Sequence, residues 1–324
     1  MTTKERVIDL FRSNSGSFYS GEEIAAKLGL SRAAVWKTVK RLREEGYPIL
    51  GVTKKGYCME KGSDILSESA VRQYLDGCKD IYEINIIDTA GSTNDIVKAK
   101  AEDGVPEGFT VISNEQTSGK GRFGRSFFSP HNTGIYMSIL LRPENKPLSY
   151  GNNITTIAAA AACEAIESIS GKKTDIKWVN DIYIEGKKVC GILTEGAFDL
   201  ESGMFKYAVV GIGINLYVPY SGFPESIAGR AGAVFERIED DSKNRLVASF
   251  LESFYNYYSG RKSEHIKTYR SRCFVIGKNI EIINGNVKTR GVVKDIDDEC
   301  RLMVKTESGD IITFSSGEIK EITE

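Results

Sequence analysis

The sequence contains few of the residues on which several common site chemistries depend. Only two of its 324 residues are histidine, His131 and His265, which excludes a cage of several histidines around a metal ion and argues against a Ser-His-Asp triad. The six cysteines form no Cys-x-x-Cys pair, so neither a zinc ribbon nor a dithiol redox centre can be written, and we interpret them as reduced thiols. We predict no metal site built from protein ligands. Any catalysis must use lysine, arginine, carboxylates and backbone amides.

Long hydrophobic runs are also lacking. The longest apolar stretch, Ile157–Cys163, consists mostly of alanine and is far shorter than the ~18 residues that indicate a membrane span. The first residues of the chain are polar and charged, so we expect no signal peptide and no membrane association, and we predict a cytoplasmic protein. The length predicts two or three domains.

The chain as a whole has no excess of charge of one sign. It carries 43 Lys and Arg against 44 Asp and Glu, which excludes binding of a polyanion through bulk charge. The charge is segregated along the sequence, however. Residues 1–64 hold twelve Lys and Arg against eight Asp and Glu, a net charge of +4, so the other residues carry −5. Any affinity for nucleic acid must therefore be local to the N-terminal segment.

This N-terminal segment has the pattern of a winged helix-turn-helix. Residues 21–28 predict a short helix that ends at a glycine, and Ser31 is a suitable N-cap for a second helix over Arg32–Glu45. After Gly46, two short strand-like pieces flank a pair of lysines, which is the arrangement of a wing.

The second helix has a cationic face opposite an apolar stripe. Val35, Val39 and Leu42 follow helical spacing and predict the buried side. A cationic outward face suits insertion into a DNA major groove, where a helix meets phosphates and base edges together. The alternative is a protein-protein adaptor whose charges form a solvated face, but the lysines in the wing of the same module favour DNA. The predicted DNA contacts are Ser31, Arg32, Ala33, Trp36, Lys37, Lys40, Lys54 and Lys55.

The middle of the chain predicts an α+β domain around a mostly antiparallel sheet. After a short helix over Glu68–Tyr74, the expected strands are Glu83–Ile87, Thr110–Ser113, Ile135–Leu141, Asp175–Val179, a hairpin across Glu185-Gly186, and Lys206–Ile214. The expected helices are Asn94–Glu102, Asn153–Ser168 and Ser242–Tyr258. From Cys273 onward, short strands alternate with turn signals at Asn284-Gly285, Asp297-Asp298-Glu299 and Ser308-Gly309, which predicts a small barrel.

A glycine-rich loop over residues 116–125 is the sharpest local feature. Its Gly119-x-Gly121-x-x-Gly124 spacing matches the dinucleotide fingerprint, but no helix follows to hold a pyrophosphate, so a Rossmann loop is excluded. A P-loop is excluded because Asn114 stands where its first glycine should be and Gly121 where the magnesium-binding Ser or Thr should be.

The loop carries three cations, Lys120, Arg122 and Arg125, which indicate an anionic ligand. Glycine lets a backbone fold tightly over a ligand, and each hydrogen bond from Arg or Lys to an anion contributes ~1.5 to 3 kcal/mol. Ordering the loop costs ~1 to 2 kcal/mol per residue, so we expect it to close only on a charged ligand. The alternative is a cationic surface turn.

With these residues in place, the loop resembles the Gly-Arg-Gly-Arg-x-Gly-Arg loop of biotin protein ligases. Further motifs of that family follow in the same order: Ser92-Thr93-Asn94, Gln116 before the loop, Lys177-Trp178-Val179-Asn180-Asp181, Lys188-Val189-Cys190-Gly191-Ile192-Leu193 and Gly211-Ile212-Gly213-Ile214-Asn215. Together with the winged helix, nearly the whole chain resembles the bacterial bifunctional biotin protein ligases and biotin-operon repressors. It departs from the family's pattern at three positions. Lys120 replaces an arginine and therefore lacks the bidentate fork of a guanidinium, Val179 replaces a proline, and Phe127 replaces a tryptophan.

The resemblance implies an α+β multidomain fold. It places a winged helix-turn-helix DNA-binding domain in residues 1–64, a central mixed α/β biotin ligase domain of the class II synthetase-like kind in residues 65–271, and an SH3-like small β-barrel in residues 272–324. The barrel would serve stability or contact ATP or the carrier domain, and the sequence does not decide between these roles.

The resemblance also assigns site residues. For biotin these are Ser92, Thr93, Asn94, Gln116, Lys120, Gly121, Arg122, Lys188 and Gly191, and for the nucleotide and its phosphates Lys120, Arg122, Arg125, Lys177, Asn180 and Asn215, with Lys188 and Arg122 as the catalytic pair. By their chemistry alone, the neutral groups suit a buried urea-like ring. Lys177 competes with Lys188 as the cation beside the carboxylate and α-phosphate, and the resemblance favours Lys188. Either could instead be a solvated strand lysine.

Some residues in the motifs have ordinary structural explanations. Trp178 suits packing better than chemistry, and Asn180 and Asp181 could cap the following turn. The segment Val218–Gly232 is rich in Gly and Pro, which indicates a flexible loop. The family's equivalent loop orders around the adenylate.

The resemblance implies a two-step reaction with biotin, ATP and Mg²⁺. Biotin is converted to biotinyl-5'-AMP and then transferred to a lysine of the biotin carboxyl carrier protein of acetyl-CoA carboxylase or a similar enzyme. The other implied partners are operator DNA of biotin genes and a second copy of the chain, as a homodimer when the adenylate is bound. Two alternatives stay open: a biotin-sensing repressor with an inactive ligase domain, disfavoured by the intact loop and Lys188, and a lipoate or octanoate ligase, disfavoured because the loop is of the biotin branch.

Overall fold

The structure is a computed structural model that describes residues 3–12, 14, 16–44, 47–59, 64–147, 149–199, 201–260 and 265–321. The chain forms two compact units. The first comprises Met1–Tyr74 and Arg237–Arg245, and the second comprises Leu75–Glu236 and Leu246–Glu324. Within the described residues, no helix is both long and apolar enough to cross a membrane.

The first unit contains the predicted winged helix-turn-helix. Its elements are α1 (Thr3–Arg12), α2 (Gly21–Leu28), α3 (Arg32–Glu44), β1 (Ile49–Val52), β2 (Gly56–Met59) and α4 (Glu68–Tyr74). Helix α2 begins at a capping box formed by Ser20 and Glu23 and ends at Gly29, whose positive φ of 61° suits glycine. Strands β1 and β2 pair antiparallel as the wing.

Helix α3 confirms the predicted amphipathic pattern. The Ala34 backbone N–H donates to Ser31 Oγ at 3.1 Å, so Ser31 is the cap that the sequence predicts. The stripe of Val35, Val39 and Leu42 is buried against α1 residues and the wing. The predicted end of this helix at Glu45 and the following Gly46 lie outside the described residues.

The described strands of the central region form a seven-stranded sheet in the second unit. They are β3 (Glu83–Ala90), β4 (Phe109–Gln116), β5 (Gly134–Leu141), β6 (Asp175–Lys177), β7 (Asp181–Ile184), β8 (Lys187–Phe198) and β9 (Phe205–Asn215), in the order β3-β4-β5-β9-β8-β7-β6. Of these neighbours β3 and β4 pair parallel and the others antiparallel, which confirms the mostly antiparallel prediction. The predicted strand Asp175–Val179 is shorter, because residues 178–180 form a turn in which the Trp178–Val179 peptide is cis.

Three helices, α5 (Thr93–Glu102), α6 (Tyr150–Ser170) and α9 (His265–Arg272), contact strands of this sheet. The described residues also form α7 (Glu225–Ala228), α8 (Ser242–Tyr258) and a 3-10 turn at Arg122–Gly124. The alanine-rich stretch Ile157–Cys163 is buried in α6, where small side chains let the helix pack closely on the sheet. The hydroxyls of Thr155 and Thr194, 2.7 Å apart, mark the contact between α6 and β8.

Within residues 279–321 the chain forms a five-stranded antiparallel sheet. Its strands are β10 (Asn279–Asn284), β11 (Val287–Ile296), β12 (Leu302–Thr306), β13 (Ile311–Phe314) and β14 (Glu318–Glu321), in the order β13-β12-β11-β10-β14. Turns occur where the sequence predicts them. Trp178 is 3% exposed and its indole N–H donates to the carbonyl of Cys300 at 3.2 Å, so this residue joins the small sheet to the rest of the second unit. This burial and this contact agree with the packing role that the sequence favours.

Candidate active site

A cavity of about 420 Å³ in the second unit collects the predicted site residues. It is bordered by the start of α5, the end of β4, the glycine-rich loop, strands β8 and β9, and the start of β14. All residues predicted for biotin and the nucleotide line it: Ser92, Thr93, Asn94, Gln116, Lys120, Gly121, Arg122, Arg125, Lys177, Asn180, Lys188, Gly191 and Asn215. The competing lysines 177 and 188 therefore both reach the same space.

Neutral hydrogen-bonding groups form one end of the cavity. Gln116 Oε1 accepts from the backbone N–H of Thr93 at 2.9 Å, and Gln116 Nε2 donates to Ser129 Oγ at 3.1 Å. The buried Ser92 stands at the N-cap position of α5, but its side chain makes no capping hydrogen bond. Its hydroxyl can therefore serve a ligand, as can the second amide hydrogen of Gln116.

Asn94 borders the same end, but its amide is already engaged. It is 4% exposed, its Nδ2 donates to Glu195 Oε2 at 2.7 Å and to the Leu193 carbonyl at 3.4 Å, and its Oδ1 accepts from Ser138 Oγ at 2.6 Å. A Cβ on Gly211 would lie 2.2 Å from Asn94 Oδ1, so the glycine of this motif makes room for the amide. Asn94 is thus placed at the predicted site with little capacity left for direct hydrogen bonds to a ligand.

The glycine-rich loop folds back on itself and presents Arg122. A Cβ on Gly119 would lie 2.5 Å from the Phe127 carbonyl, which explains the need for glycine there. Arg122 Nη1 donates to Asn180 Oδ1 at 3.1 Å, and Asn180 Nδ2 donates in turn to the Ile192 carbonyl at 2.9 Å. Burial lowers the pKa of Arg122, although a guanidinium remains charged at any physiological pH. Asn180 therefore positions the arginine rather than only capping a turn.

Three other cations of the cavity are paired with acids. Lys120 Nζ lies 2.6 Å from Asp95, Arg125 Nη2 lies 2.5 Å from Glu318 Oε2, and Lys188 Nζ lies 2.7 Å from Asp181 Oδ1. The Asp181 Oδ1 atom is buried. Its contact with Lys188 Nζ is an ion pair that lacks the geometry of a regular hydrogen bond, and the described residues give this atom no hydrogen-bond partner. Sequence analysis assigned none of these acids to the site.

Lys188 is anchored through its backbone to the segment that was predicted to be a flexible loop. Its N–H donates to the Arg230 carbonyl at 2.8 Å, and its carbonyl accepts from the Gly232 N–H at 2.9 Å. Asn215 Nδ2 also donates to the Gly232 carbonyl at 3.1 Å. This segment brings Phe223, Ile227 and Arg230 to the cavity, none of which sequence analysis had selected.

Phe127, the departure from the family's tryptophan, lies in a slot formed by two glycines. Cβ atoms on Gly191 and Gly213 would approach its ring to 3.1 and 2.6 Å. Gly191 and Gly213 face each other across β8 and β9. Paired glycines on adjacent strands thus make a flat floor for an aromatic ring. The slot explains why both motifs contain glycine at these positions.

The predicted DNA contacts lie in the first unit and are not among the residues that line the cavity. Ser31, Arg32, Ala33, Trp36, Lys37, Lys40, Lys54 and Lys55 are all exposed. Trp36 is 56% exposed, with Lys40 Nζ 5.6 Å from its ring centroid. A large exposed aromatic residue among cations on the face opposite the core is typical of a contact surface.

Comparisons with known proteins agree with this arrangement. Residues 87–215 match the biotin/lipoate A/B protein ligase family, residues 3–58 match an HTH domain, and residues 275–320 match the biotin protein ligase C terminal domain. The biotin protein ligase from Aquifex aeolicus, solved in complex with biotin and ATP, superposes with a TM-score of 0.61 at 26% identity, over 74% of this chain and 99% of that chain.

Two curated relatives match nearly the whole length. The bifunctional ligase/repressor BirA of Bacillus subtilis (strain 168) is 35% identical over 317 residues, which cover 95% of each chain. The bifunctional ligase/repressor BirA of Escherichia coli (strain K12) is 26% identical over 94% of this chain and 93% of its own. The chain belongs to the biotin/lipoate A/B protein ligase family, among its bifunctional ligase/repressors.

Proposed function

We propose that this protein makes biotinyl-5'-AMP from biotin and ATP and transfers biotin to a lysine of a biotin carboxyl carrier protein. One observation carries the proposal. A single cavity joins a neutral hydrogen-bonding end, with Ser92, Thr93 and Gln116, to a cationic end with Arg122 and Lys188. The neutral end suits the ureido ring of biotin, and the cationic end suits a carboxylate meeting a phosphate.

In the first step, a carboxylate oxygen of biotin attacks the α-phosphorus of ATP, and the bond from that phosphorus to the leaving pyrophosphate breaks. Lys188 and Arg122 neutralise the charge that develops on the phosphoryl oxygens. In the second step, the acceptor lysine amine attacks the acyl carbon, AMP leaves, and the amine loses a proton to solvent. Positioning and charge stabilisation suffice, and neither histidine lines the cavity.

The residues of the cavity do not form a cage for Mg²⁺. Among the described residues, no three His, Cys, Asp or Glu side chains converge to hold a metal ion. Magnesium is commonly held largely by substrate phosphates and water. We therefore propose that it enters with ATP, and we assign it no protein ligand set.

Intact-mass measurement tests the ligase proposal. Purified protein is incubated with a biotin carboxyl carrier domain, biotin and magnesium-ATP, and we expect one added biotin that requires both small molecules. Lipoic and octanoic acid replace biotin in parallel reactions. No added mass while biotin still binds would favour the repressor with an inactive ligase domain, and modification by the fatty acids instead would favour a lipoate or octanoate ligase.

We further propose that the first unit binds operator DNA of biotin genes and that the adenylate-bound protein is a homodimer. The exposed cationic face of α3 and the wing lysines support DNA binding. Only a ligand that favours the dimer over the monomer can drive assembly. Sedimentation should show tighter self-association with biotinyl-5'-AMP than without it, and equal dimerisation constants would contradict the proposal.

We assign one function to each of the three domains predicted from the sequence. We assign DNA binding to residues 1–64, catalysis to residues 65–271 and a supporting domain to residues 272–324. Residues Gly317, Glu318 and Ile319 line the cavity, which supports a role for the last domain beside the nucleotide as well as in stability. We place the protein in the cytoplasm, where its carrier and its DNA both occur.

A further inference from the structure

The turn at residues 178–180 places Asn180 at the cavity. Asn180 is bound to Ile192 on β8 twice, because its carbonyl accepts from the Ile192 N–H at 3.0 Å and its Nδ2 donates to the Ile192 carbonyl at 2.9 Å. These two bonds leave Asn180 Oδ1 to accept from Arg122 Nη1 at 3.1 Å. The position of the turn therefore determines where the Arg122 guanidinium points.

Arg122 is held by a neutral group, unlike three other cations of the cavity. Lys120, Arg125 and Lys188 are each paired with a carboxylate. Arg122 instead donates to an amide oxygen, which accepts a hydrogen bond but carries no net charge. Asn180 thus directs the guanidinium without neutralising it, and the charge stays available to a phosphate as long as Asn180 keeps its place.

Tyr269 on α9, to which no sequence motif assigns a role, holds the middle of this turn. Its side chain is fully buried, and its hydroxyl donates to the Val179 carbonyl at 3.0 Å. Burial raises the pKa of this hydroxyl well above its usual value, so Tyr269 remains a donor at physiological pH. The Val179 carbonyl belongs to the peptide group that leads into Asn180, and a shift of that peptide must shift Asn180 as well.

Each residue of the turn has its own partner. Trp178 donates its indole N–H to the carbonyl of Cys300, Val179 accepts from Tyr269, and Asn180 is bound to β8. Val179 is buried, and a buried carbonyl that loses its donor is costly, so the turn would move to recover a hydrogen bond if the Tyr269 hydroxyl were absent.

We infer that Tyr269 is a positioning residue of the active site, which holds the peptide between Val179 and Asn180 and so keeps the Arg122 guanidinium directed into the cavity. Tyr269 does not itself line the cavity, so it acts through the turn. The action of Arg122 on the α-phosphate rests on the proposed function. Tyr269 lies 90 positions from Val179 in the sequence, which is why no motif contains it.

Replacing Tyr269 by phenylalanine removes the hydroxyl and keeps the ring. We expect kcat for biotin-dependent ATP/pyrophosphate exchange to fall ~10- to 100-fold, the range for a displaced catalytic group. The KM for biotin should change much less, because Ser92, Thr93 and Gln116 form the neutral end of the cavity. Rates are divided by the concentration of biotin-binding sites, so an unfolded fraction does not enter the comparison. A normal kcat per site would overturn the inference.

Tyr82→Phe is the matched control. Tyr82 is also buried, its hydroxyl donates to the Leu251 carbonyl at 3.3 Å, and neither residue lines the cavity. Each variant loses one buried hydrogen bond, so both should unfold at a lower denaturant concentration than the unaltered protein. Tyr82→Phe should nevertheless keep the full kcat. An equal loss of kcat in the two variants would point to lost stability alone and count against a positioning role.

Asn180→Ala tests whether Tyr269 acts through Asn180. It removes the amide that directs Arg122, so kcat should fall at least as far as in Tyr269→Phe. The double variant should be no slower than Asn180→Ala alone, because both changes release the same guanidinium. Losses that multiply in the double variant would show that the two residues act independently.

The indole N–H signals of the two tryptophans, in nitrogen-15 NMR spectra, supply a readout that needs no turnover. Tyr269→Phe should move the signal of Trp178, which lies in the same turn, and leave that of Trp36 in the first unit. Tyr82→Phe should move neither, and an unmoved Trp178 signal in Tyr269→Phe would contradict a hold on the turn. Absence of exchange in the unaltered protein would overturn the proposed function, and the Trp178 signal would still decide whether Tyr269 holds the turn.

Discussion

At three positions of the candidate site, a nearby side chain explains why the residue is glycine. Gly211 faces Asn94, and Gly191 and Gly213 face Phe127. These residues keep the backbone close to polar and aromatic groups of the site, and a single methyl group at such a position occupies space that another atom already holds. The requirement comes from close approach, since none of these three glycines has a positive φ.

Gly211→Ala should abolish tight biotin binding. The new Cβ would lie 2.2 Å from Asn94 Oδ1 and would displace an amide that is held by Ser138 and Glu195. We expect the Kd for biotin to rise at least ~10-fold, as for a broken buried hydrogen bond. The control is Gly151→Ala, whose Cβ would make an ordinary 3.6 Å contact with Phe205. Similar Kd values for both variants would contradict this account.

Lys188→Ala should slow formation of the adenylate. Its ammonium lies in the cavity beside Asp181, and its loss would remove one stabilising charge and leave the Asp181 carboxylate exposed to the reacting phosphate. We expect ATP/pyrophosphate exchange to fall ~10²- to 10³-fold, as when one donor to a developing oxyanion is removed. Lys177→Ala is the informative comparison, since both lysines line the cavity. Unchanged ATP/pyrophosphate exchange in Lys188→Ala would show that Lys188 does not stabilise the reacting phosphate and would assign that role to Lys177.

The residues of the site could be predicted from sequence, but their partners could not. Every residue that the sequence motifs assigned to biotin or to the nucleotide lines the cavity. Glu318 and Glu195 carry no such signal, because they meet Arg125 and Asn94 across 193 and 101 positions of sequence. Such contacts depend on how the sheets are assembled, and spacing along the chain says nothing about them.

At the scale of the element, regular patterns predicted the structure well. The predicted bounds of α4 and α8 agree with the structure, because their apolar residues recur at helical spacing. Helix α1 was missed although its signal was present, since Val7, Ile8 and Phe11 follow the same spacing and are buried. The turn at residues 178–180 was taken for strand, because its apolar residues are buried as in a strand.

We expect His265 in helix α9 to make the stability of the second unit depend on pH. The helix begins at His265, whose ring lies 3.8 Å from Cys300 Sγ and edge-on to Tyr257, and burial lowers the pKa of this histidine to about 4. The unfolded chain binds a proton near pH 6.5, so the contribution is complete above that value and is lost as the pH falls towards 4. In denaturant titrations, the denaturant concentration at the unfolding midpoint should therefore decrease as the pH is lowered from 7 to 4.5.

His265→Gln should flatten this decline. The variant has no titrating group at the position, so its unfolding midpoint should change less than that of the unaltered protein over the same pH range. At pH 7.5 both proteins carry a neutral side chain there, and the difference between them reports packing alone. Parallel pH profiles would show that His265 does not control the acid sensitivity.

On the scale of the whole molecule, the candidate DNA-binding surface and the cavity are carried by different units. The cationic face of α3 lies in the first unit, and the cavity is lined entirely by residues of the second. The Aquifex aeolicus ligase is matched over 99% of its length by 74% of this chain, so the ligase fold does not require the rest. This distribution predicts that the two activities can be separated by mutation.

Arg32→Ala combined with Lys37→Ala should abolish DNA binding and leave biotinylation intact. Both side chains are exposed on α3, so their loss removes phosphate contacts without disturbing the buried stripe of the helix. Gel-shift titrations with duplexes selected by the unaltered protein, and intact mass of the carrier domain, measure the two activities on one sample. Loss of both together would contradict separable units.

The contact between Arg125 and Glu318 also determines when the site can form during synthesis. Ser92 and Ile319 border one cavity from distant positions in the sequence, and β14 is made after every other described strand. The ribosome must therefore translate β14 and release it from the exit tunnel before the glycine-rich loop meets its acidic partner. A nascent chain whose β14 is still in the tunnel lacks part of the lining of the cavity, so we expect biotin activation to begin only after β14 has emerged.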